Sequence, residues 1–367
     1  MQKKYYKYII MAVLSLACVI FTYNDYFLYK TPILKINHIE NEYKKTSTYG
    51  EDYYTQTITG VIKNGKYKGK KMTFTNTMST SGVYGEQVHK NTELFLDLSN
   101  DGSRVVGIAN IKRDKYLVIL LVIFLDLIIL VAGKKGCKTL ISLFGNIIIS
   151  ACAIIFFKNN FKTVNMLLLY FFVSTLYIVF SLYVTNGKSR KTLAAIVSSV
   201  VSLFVSFGLS YAIIKIFGKD INLYIWAMEY NDAVYDYENF FYVSVLLCGL
   251  GAIMDIAITI ASSLSELMAK DPHIEVGALV KSGREISKDI VGTMTTVMLY
   301  TCYTPIIPTV LLALKNSMPL MRALDLYGTL ELVIILCSCI SIVLAIPVSQ
   351  FVSVFILKQQ YKKEAAI

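Results

Sequence analysis

At 367 residues the chain is 55% hydrophobic and only 17% charged, with a mean hydropathy of +0.55, more apolar surface than one soluble core can hide. The net charge of +11 comes from short Lys and Arg runs beside apolar segments, the pattern of membrane-flanking charge rather than of a nucleic-acid surface, so no nucleic-acid partner is expected. Seven cysteines, at 18, 137, 152, 248, 302, 337 and 339, lie in or beside apolar runs, and the polar stretch from about 30 to 115 has none, so no disulfide framework is implied.

The first apolar run, near 7–28, follows Lys3, Lys4 and Lys7. Asn24-Asp25-Tyr26 offers no small-residue cleavage site, so residues 1–29 read as an uncleaved transmembrane anchor. Residues 30–115 differ in kind. Strand-type alternation occurs at Thr57-Ile58-Thr59-Gly60-Val61-Ile62, Met72-Thr73-Phe74-Thr75, Thr92 to Leu98 and Val105-Val106-Gly107-Ile108. Asn64-Gly65 and Asp101-Gly102 supply turns between the runs. A small β-barrel or sheet of about five short strands follows, and its Lys63, Lys66, Lys68, Lys70 and Lys71 cluster reads as a solvated hairpin surface or a contact for anionic headgroups.

Seven further apolar runs, near 116–132, 137–157, 163–185, 192–217, 239–265, 289–314 and 328–357, are each long enough for about 30 Å of hydrocarbon. Residues 116–358 therefore read as a seven-helix bundle and 359–367 as a tail. Short-loop Lys and Arg residues concentrate on one side: Lys134, Lys135 and Lys138; Lys188, Arg190 and Lys191; Lys270, Lys281, Arg284 and Lys288; Lys358, Lys362 and Lys363. That bias places both termini in the cytoplasm and residues 30–115 outside. The loop from Asp220 to Glu238, acidic and holding Trp226, suits the outer surface. The expected class is an α-helical polytopic protein of the bacterial cytoplasmic membrane, with about eight transmembrane helices and a small extracytoplasmic β-barrel-like domain after the first.

Familiar catalytic motifs are missing. Gly187-Lys188-Ser189 lacks the upstream glycine of a phosphate loop, no His-Glu-x-x-His pair occurs, and His38, His89 and His273 all lie in polar segments. Cys337 and Cys339 point to different helix faces. No cofactor, metal or catalytic residue is assigned, and an enzyme is not expected.

Polarity inside the apolar runs is instead concentrated between residues 239 and 314. Asp255, Thr259, Ser262 and Glu266 descend one helix, while Asp289, Thr293, Thr296 and Tyr300 climb the next. A carboxylate inside hydrocarbon costs roughly 3 kcal/mol on insertion scales. Counting rise from the inner ends sets Tyr300 level with Asp255. One turn on, Thr301-Cys302-Tyr303-Thr304-Pro305-Ile306-Ile307-Pro308 contains two prolines that free the carbonyls of Thr301 and Thr304. The candidates for binding a transported ion or solute are thus Asp255, Thr259, Ser262, Thr293, Thr296, Tyr300, Thr301 and Thr304, with a helix break at Pro305 and Pro308. Two roles stay open for Asp255: transport or proton relay, and a structural hydrogen bond to Tyr300 or a threonine. A serine row at Ser198, Ser202, Ser206 and Ser210 reads as packing, as does Asp126.

Gly251-Ala252-Ile253-Met254-Asp255, Ala261-Ser262-Ser263-Leu264, Glu266-Leu267, Ser282-Gly283-Arg284-Glu285-Ile286, Lys288-Asp289-Ile290 and Gly292-Thr293-Met294 resemble the YibE/F-like multipass membrane proteins of bacteria. The resemblance implies the layout of anchor, small extracytoplasmic β domain and membrane bundle, in a family described as permeases or as membrane proteins without assigned activity. The expected function is permease-like translocation of an ion or small polar solute. The alternative is a non-transporting subunit or scaffold that contacts a membrane protein partner, or a second copy, through the β domain. Membrane lipid is the expected surrounding in either case.

Overall fold

The computed structural model describes residues 2–46, 51–80, 82, 85–99, 102, 104–160, 163–217, 237–271 and 274–364. Trp226, His273, Asp101 and the acidic residues Asp220, Glu229, Asp232 and Asp236 lie outside them. The chain divides at Gly133 into two compact units, Met1–Gly133 and Lys134–Ile367.

In the first unit, helix α1 (Gln2–Tyr23) is followed by a single 3-10 turn, Asp25–Leu28, and by strands β1 (Ile33–Thr46), β2 (Asp52–Ile62), β3 (Lys71–Ser79), β4 (Glu93–Leu98) and β5 (Val105–Ile111). They form one antiparallel sheet in the order β3-β2-β1-β4-β5. The alternating residues Ile58 and Ile62 of β2 point inward with Leu34, Ile36, Met72, Val88, Leu94 and Leu96, as period-two patterning requires. Gly60 lies on the same row. A Cβ there would sit 2.5 Å from the Lys35 carbonyl oxygen and 2.4 Å from Leu34 Cδ2, so only glycine lets β1 and β2 pack so closely.

Two buried amides in this unit, Gln56 and Asn64, are bonded, whereas the buried Glu93 Oε2 has no partner among the described residues. Gln56 donates to Asn41 Oδ1 at 2.9 Å and to the Val88 carbonyl at 3.2 Å, and accepts from the Val88 amide. Asn64 turns out to be more than a turn residue. Its Oδ1 accepts the Ile33 amide, and its Nδ2 donates to the carbonyls of Tyr29 and Thr31, at 2.6, 2.8 and 2.9 Å, which fixes the approach into β1. Gly65 and Gly102 both take positive φ, as their turns demand.

Where the sheet meets its two apolar helices, charge is buried. The Lys112 side chain is 1% exposed, and its ammonium donates to Asp25 Oδ1 at 2.7 Å and to Asp114 Oδ2. The Tyr29 hydroxyl donates to Asp114 at 2.7 Å. Beside this triad, Lys115 donates to Glu93 Oε1 at 2.6 Å, and the Tyr26 hydroxyl donates to the same oxygen. Burial alone would lower the Lys112 pKa, but its hydrogen bonds to Asp114 and Asp25 and their charges outweigh it and hold the ammonium above the ordinary lysine value. Burial and then the hydrogen bonds to Glu93 and Asp114 push the Tyr26 and Tyr29 phenols up as well.

Helix α2 (Asp114–Asn159) runs on from this cluster. Its backbone leaves helical geometry at Gly133, where φ is 56°, a conformation natural to glycine. Within the first unit, Ser15 of α1 donates to Asp126 of α2 at 2.7 and 2.9 Å, which gives that carboxylate a packing partner.

The second unit contains the rest of α2, α3 (Met166–Asn186), α4 (Arg190–Phe217), α5 (Tyr237–Cys248), α6 (Leu250–Lys270), α7 (Val276–Tyr303), α8 (Ile306–Lys315), α9 (Leu320–Tyr327) and α10 (Thr329–Glu364). Among the described residues five helices, with α5 and α6 taken together, are long and apolar enough to cross a membrane, and α7 with α8 makes a sixth as a bent pair. α2 joins the two expected runs, 116–132 and 137–157, across a non-helical break at Gly133, and among the described residues the apolar part of α1 is Ile9–Tyr23.

The core of this unit is apolar, with Phe207, Phe241, Leu246, Ile253 and Ile256 among its members, and it contains a seam of small residues. Ala194, Ser198, Ser202, Ser206 and Ser210 on α4, and Ser341, Ala345, Ser349 and Ser353 on α10, recur every four residues and are all buried. The two helices pack along each other, and α10 also packs on α6 and α7. Small side chains every fourth residue allow the close approach that stabilises helix pairs in lipid. Ser198 and Ser206 donate to carbonyls three residues back. Gln350 of α10 reaches Ser287 of α7 at 3.3 Å.

Lys112→Met should cost about 3–5 kcal/mol, because it leaves two carboxylates buried without their cation; the readout is the unfolding midpoint of detergent-purified protein. The pH dependence has a definite sign. Groups whose folded pKa is raised contribute fully below their unfolded values, near pH 10, and lose that contribution as the pH climbs further. Melts of the wild type should therefore fall steeply above about pH 10, and Lys112→Met should flatten that limb.

Candidate functional site

Helix α6 is amphipathic in the sense that matters for a membrane. Leu250, Ala252, Ile253, Ile256, Ala257, Ile260, Ala261, Leu264 and Met268 are buried against the bundle. Gly251, Asp255, Thr259 and Glu266 lie on the opposite, exposed face, with Ser262 and Ser263 half-buried beside them. The spacing of four from Gly251 to Asp255 to Thr259 puts them on one line. Asp255 falls near the middle of the 34-residue span Tyr237–Lys270. Among the described residues no donor reaches its carboxylate.

Two contacts fix how α7 runs beside α6. Cys248, at the break between α5 and α6, lies with its Sγ 3.2 Å from Cys302 Sγ, one residue before the end of α7. At the other end Ser263, Glu266, Leu267 and Lys270 line a groove of about 460 Å³ with Lys281, Ser282, Glu285 and Ile286. Interpolation between these contacts sets Asp255 level with Thr295, whose hydroxyl is buried without a partner. Tyr300 stands five residues further along, roughly 7 Å of helical rise, and is 66% exposed. On this register Thr295 rather than the expected Tyr300 stands level with Asp255, and among the described residues neither hydroxyl bonds the carboxylate. Helix α7 begins at Val276, well before the apolar run at 289 from which the rise was counted.

The candidate hydroxyls are mostly occupied by their own helices. Thr259 donates to the Asp255 carbonyl, Thr293 to Ile290, Thr296 to Gly292 and Thr304 to Tyr300, at 2.5 to 2.9 Å. Their oxygens retain lone pairs and lie on the exposed side, as does Thr301. At the break, Pro305 is the N-cap of α8 and Pro308 lies in its first turn. The Thr304 carbonyl is not freed as expected, because it accepts the Ile307 amide at 3.2 Å. The side chain of Asp289 lies outside the described residues.

Sequence reasoning overlooked the Cys248–Cys302 pair. Its signal was the place of each thiol, one beside Gly249 and one just before Pro305, where both helices break. Among the described residues no three His, Cys, Asp or Glu side chains gather as a metal site.

An antiparallel sheet unit, followed by several helices of membrane-spanning length and apolarity with a carboxylate at mid-helix, defines a helical membrane protein. Two family models cover nearly all of it. The chain belongs to the YibE/F-like family, matching the YibE/F-like protein over residues 120–359 and the YibE/F family N-terminal domain over residues 27–112. No curated protein and no solved structure matches it.

The α6–α7 register is testable by oxidative cross-linking. Copper-phenanthroline treatment of the membrane-embedded chain should join Cys248 to Cys302, and in a cysteine-free background Asp255→Cys should cross-link to Thr295→Cys in preference to Tyr300→Cys. Peptide mapping that finds the Tyr300 pairing favoured would overturn the register.

Proposed function

We propose that the chain is a permease-like translocator of an ion or small polar solute in the bacterial cytoplasmic membrane, with Asp255 at its polar centre. The observation that carries this reading is one continuous polar line. It starts in the charged groove at Glu266, Lys270, Lys281 and Glu285 and follows Ser263, Ser262 and Thr259 to Asp255 at mid-span. A polar line connecting a charged mouth to a mid-membrane carboxylate is what a hydrated cation or proton needs in order to leave bulk water stepwise. The Lys and Arg bias supports an orientation with this mouth cytoplasmic, both termini inside and residues 30–115 outside. Thr293, Thr296, Tyr300, Thr301 and Thr304 supply further oxygens along α7, and the break at Pro305 and Pro308 supplies a joint about which α8 can pivot. Asp255→Asn should abolish flux of the transported ion into proteoliposomes across an ion panel while leaving insertion and the melting temperature unchanged. Wild-type flux in Asp255→Asn would overturn the assignment.

A second reading makes the chain a non-transporting subunit. The exposure of Gly251, Asp255 and Thr259 on a single chain favours it, since such a face suits a second helix as well as water. Under that reading a stoichiometric partner should copurify and be lost when residues 35–112 are deleted.

A further inference from the structure

The first unit contains an open cavity of about 1150 Å³, independent of the helical bundle. Its wall includes Lys35, Lys63, His89, Lys90, Lys112, Arg113 and Lys115, against a single carboxylate, Glu93. The placement follows from sheet register. Lys35 on β1 is opposite Glu93 on β4, and the Lys112 amide bonds the Glu93 carbonyl at 2.8 Å, so the three residues stand in a row across the sheet.

Three of these cations are already neutralised. Lys112 is held by Asp25 and Asp114, Lys115 by Glu93, and Arg113 by Glu86. Lys35, Lys63 and Lys90 form no ion pair among the described residues. Asn91, whose φ is 69°, and Thr92 lie beside Lys90 in the same wall. The remaining wall is amphipathic: Tyr23 and Asn24 end α1, and Tyr116 and Leu117 begin α2, with Tyr116 and Leu117 both strongly exposed. Tyrosine at the ends of apolar helices marks headgroup depth. The cavity thus joins uncompensated positive charge to an apolar edge that continues down two membrane helices.

We propose that this cavity binds the phosphate headgroup of an anionic phospholipid, with Lys35, Lys63 and Lys90 around the phosphate and the acyl chains running along Tyr116 and Leu117. Ammonium groups suit a phosphate as point charges, and each near-surface lysine adds to the attraction for an anionic leaflet. The buried Lys112 and Lys115 pairs shape the wall without taking part, because their charges are spent. The inference stands apart from transport at Asp255.

The test uses full-length protein in nanodiscs of phosphatidylcholine doped with phosphatidylglycerol, with bound lipid counted by native mass spectrometry after gentle delipidation. Wild type should retain phosphatidylglycerol over phosphatidylcholine at least tenfold. Lys35→Gln/Lys63→Gln/Lys90→Gln should lose that preference, whereas Lys66→Gln/Lys68→Gln/Lys71→Gln, with the same charge change outside the cavity wall, should keep it. Equal loss in both triple variants would overturn the site as mere surface charge, and so would absence of any lipid preference in the wild type. Inorganic phosphate and glycerol phosphate at millimolar concentration separate the two sources of the anion: failure to displace the lipid supports a lipid site, and full displacement with equal affinity overturns it. Circular dichroism melts of both variants, expected to match the wild type, exclude unfolding as the cause.

Discussion

Everything in the first unit hangs on a lysine ammonium held out of water between two carboxylates. An unpaired charge buried at this depth costs several kcal/mol, and only close partners with good geometry offset it. Asp25 comes from the turn after α1, Lys112 from the end of the sheet, and Asp114 from the start of α2. No two of these segments can separate without exposing an uncompensated charge. The triad therefore ties the two apolar helices to the sheet as an electrostatic knot, and the Ser15–Asp126 bond repeats the link further down the same helix pair. The cationic cavity depends on the same knot, because it consumes Lys112 and leaves the neighbouring lysines free for an anion.

The second unit is organised by a different constraint, that of close approach without hydrophobic drive. In lipid, apolar side chains gain nothing by leaving water that is not there, so packing falls to small residues and short polar bridges. The fourfold spacing of alanine and serine on α4 and α10 builds that seam, and α6 lays its buried face on it. Fixing α6 by one face determines the other. Asp255 points away from the seam because Ile253, Ile256 and Ala257 point into it.

Much of this was legible in the chain. The periodicity of β2 to β5, the positive-φ turn at Gly65, the membrane-length apolar runs and the family resemblance are all local properties, and local properties survive in sequence. β1 escaped notice because only Ile33, Leu34 and Ile36 are buried, while its remaining length is exposed and charged, so alternation fades after four residues. The Lys112 triad escaped for the opposite reason: Asp25 lies 87 residues from Lys112 in the chain, and nothing local shows that a charge in the run Lys112-Arg113-Asp114-Lys115 will be buried. The α6–α7 register failed on a boundary. The sequence marks only the first apolar residue of the span, but α7 begins more than three turns earlier, in a stretch whose mixed polarity hides the helix start.

The shift from Tyr300 to Thr295 changes what the polar centre has to be. A carboxylate capped by a tyrosine would be a closed structural bond, with its hydrogen-bonding need met inside one chain. Asp255 instead has no donor among the described residues and faces outward between Gly251 and Thr259, residues too small to shield it. Acyl chains cannot satisfy such a group, so in the membrane either water reaches it along the Thr259, Ser262 and Glu266 line or another helix covers it. Both outcomes use the same exposed stripe, and they differ in one measurable respect. Water access leaves the carboxylate free to exchange a proton or cation with the charged groove, whereas a covering helix removes it from exchange altogether. The charged groove at the end of the stripe favours the first, because a face built only for helix packing gains nothing from ending in Glu266, Lys270, Lys281 and Glu285.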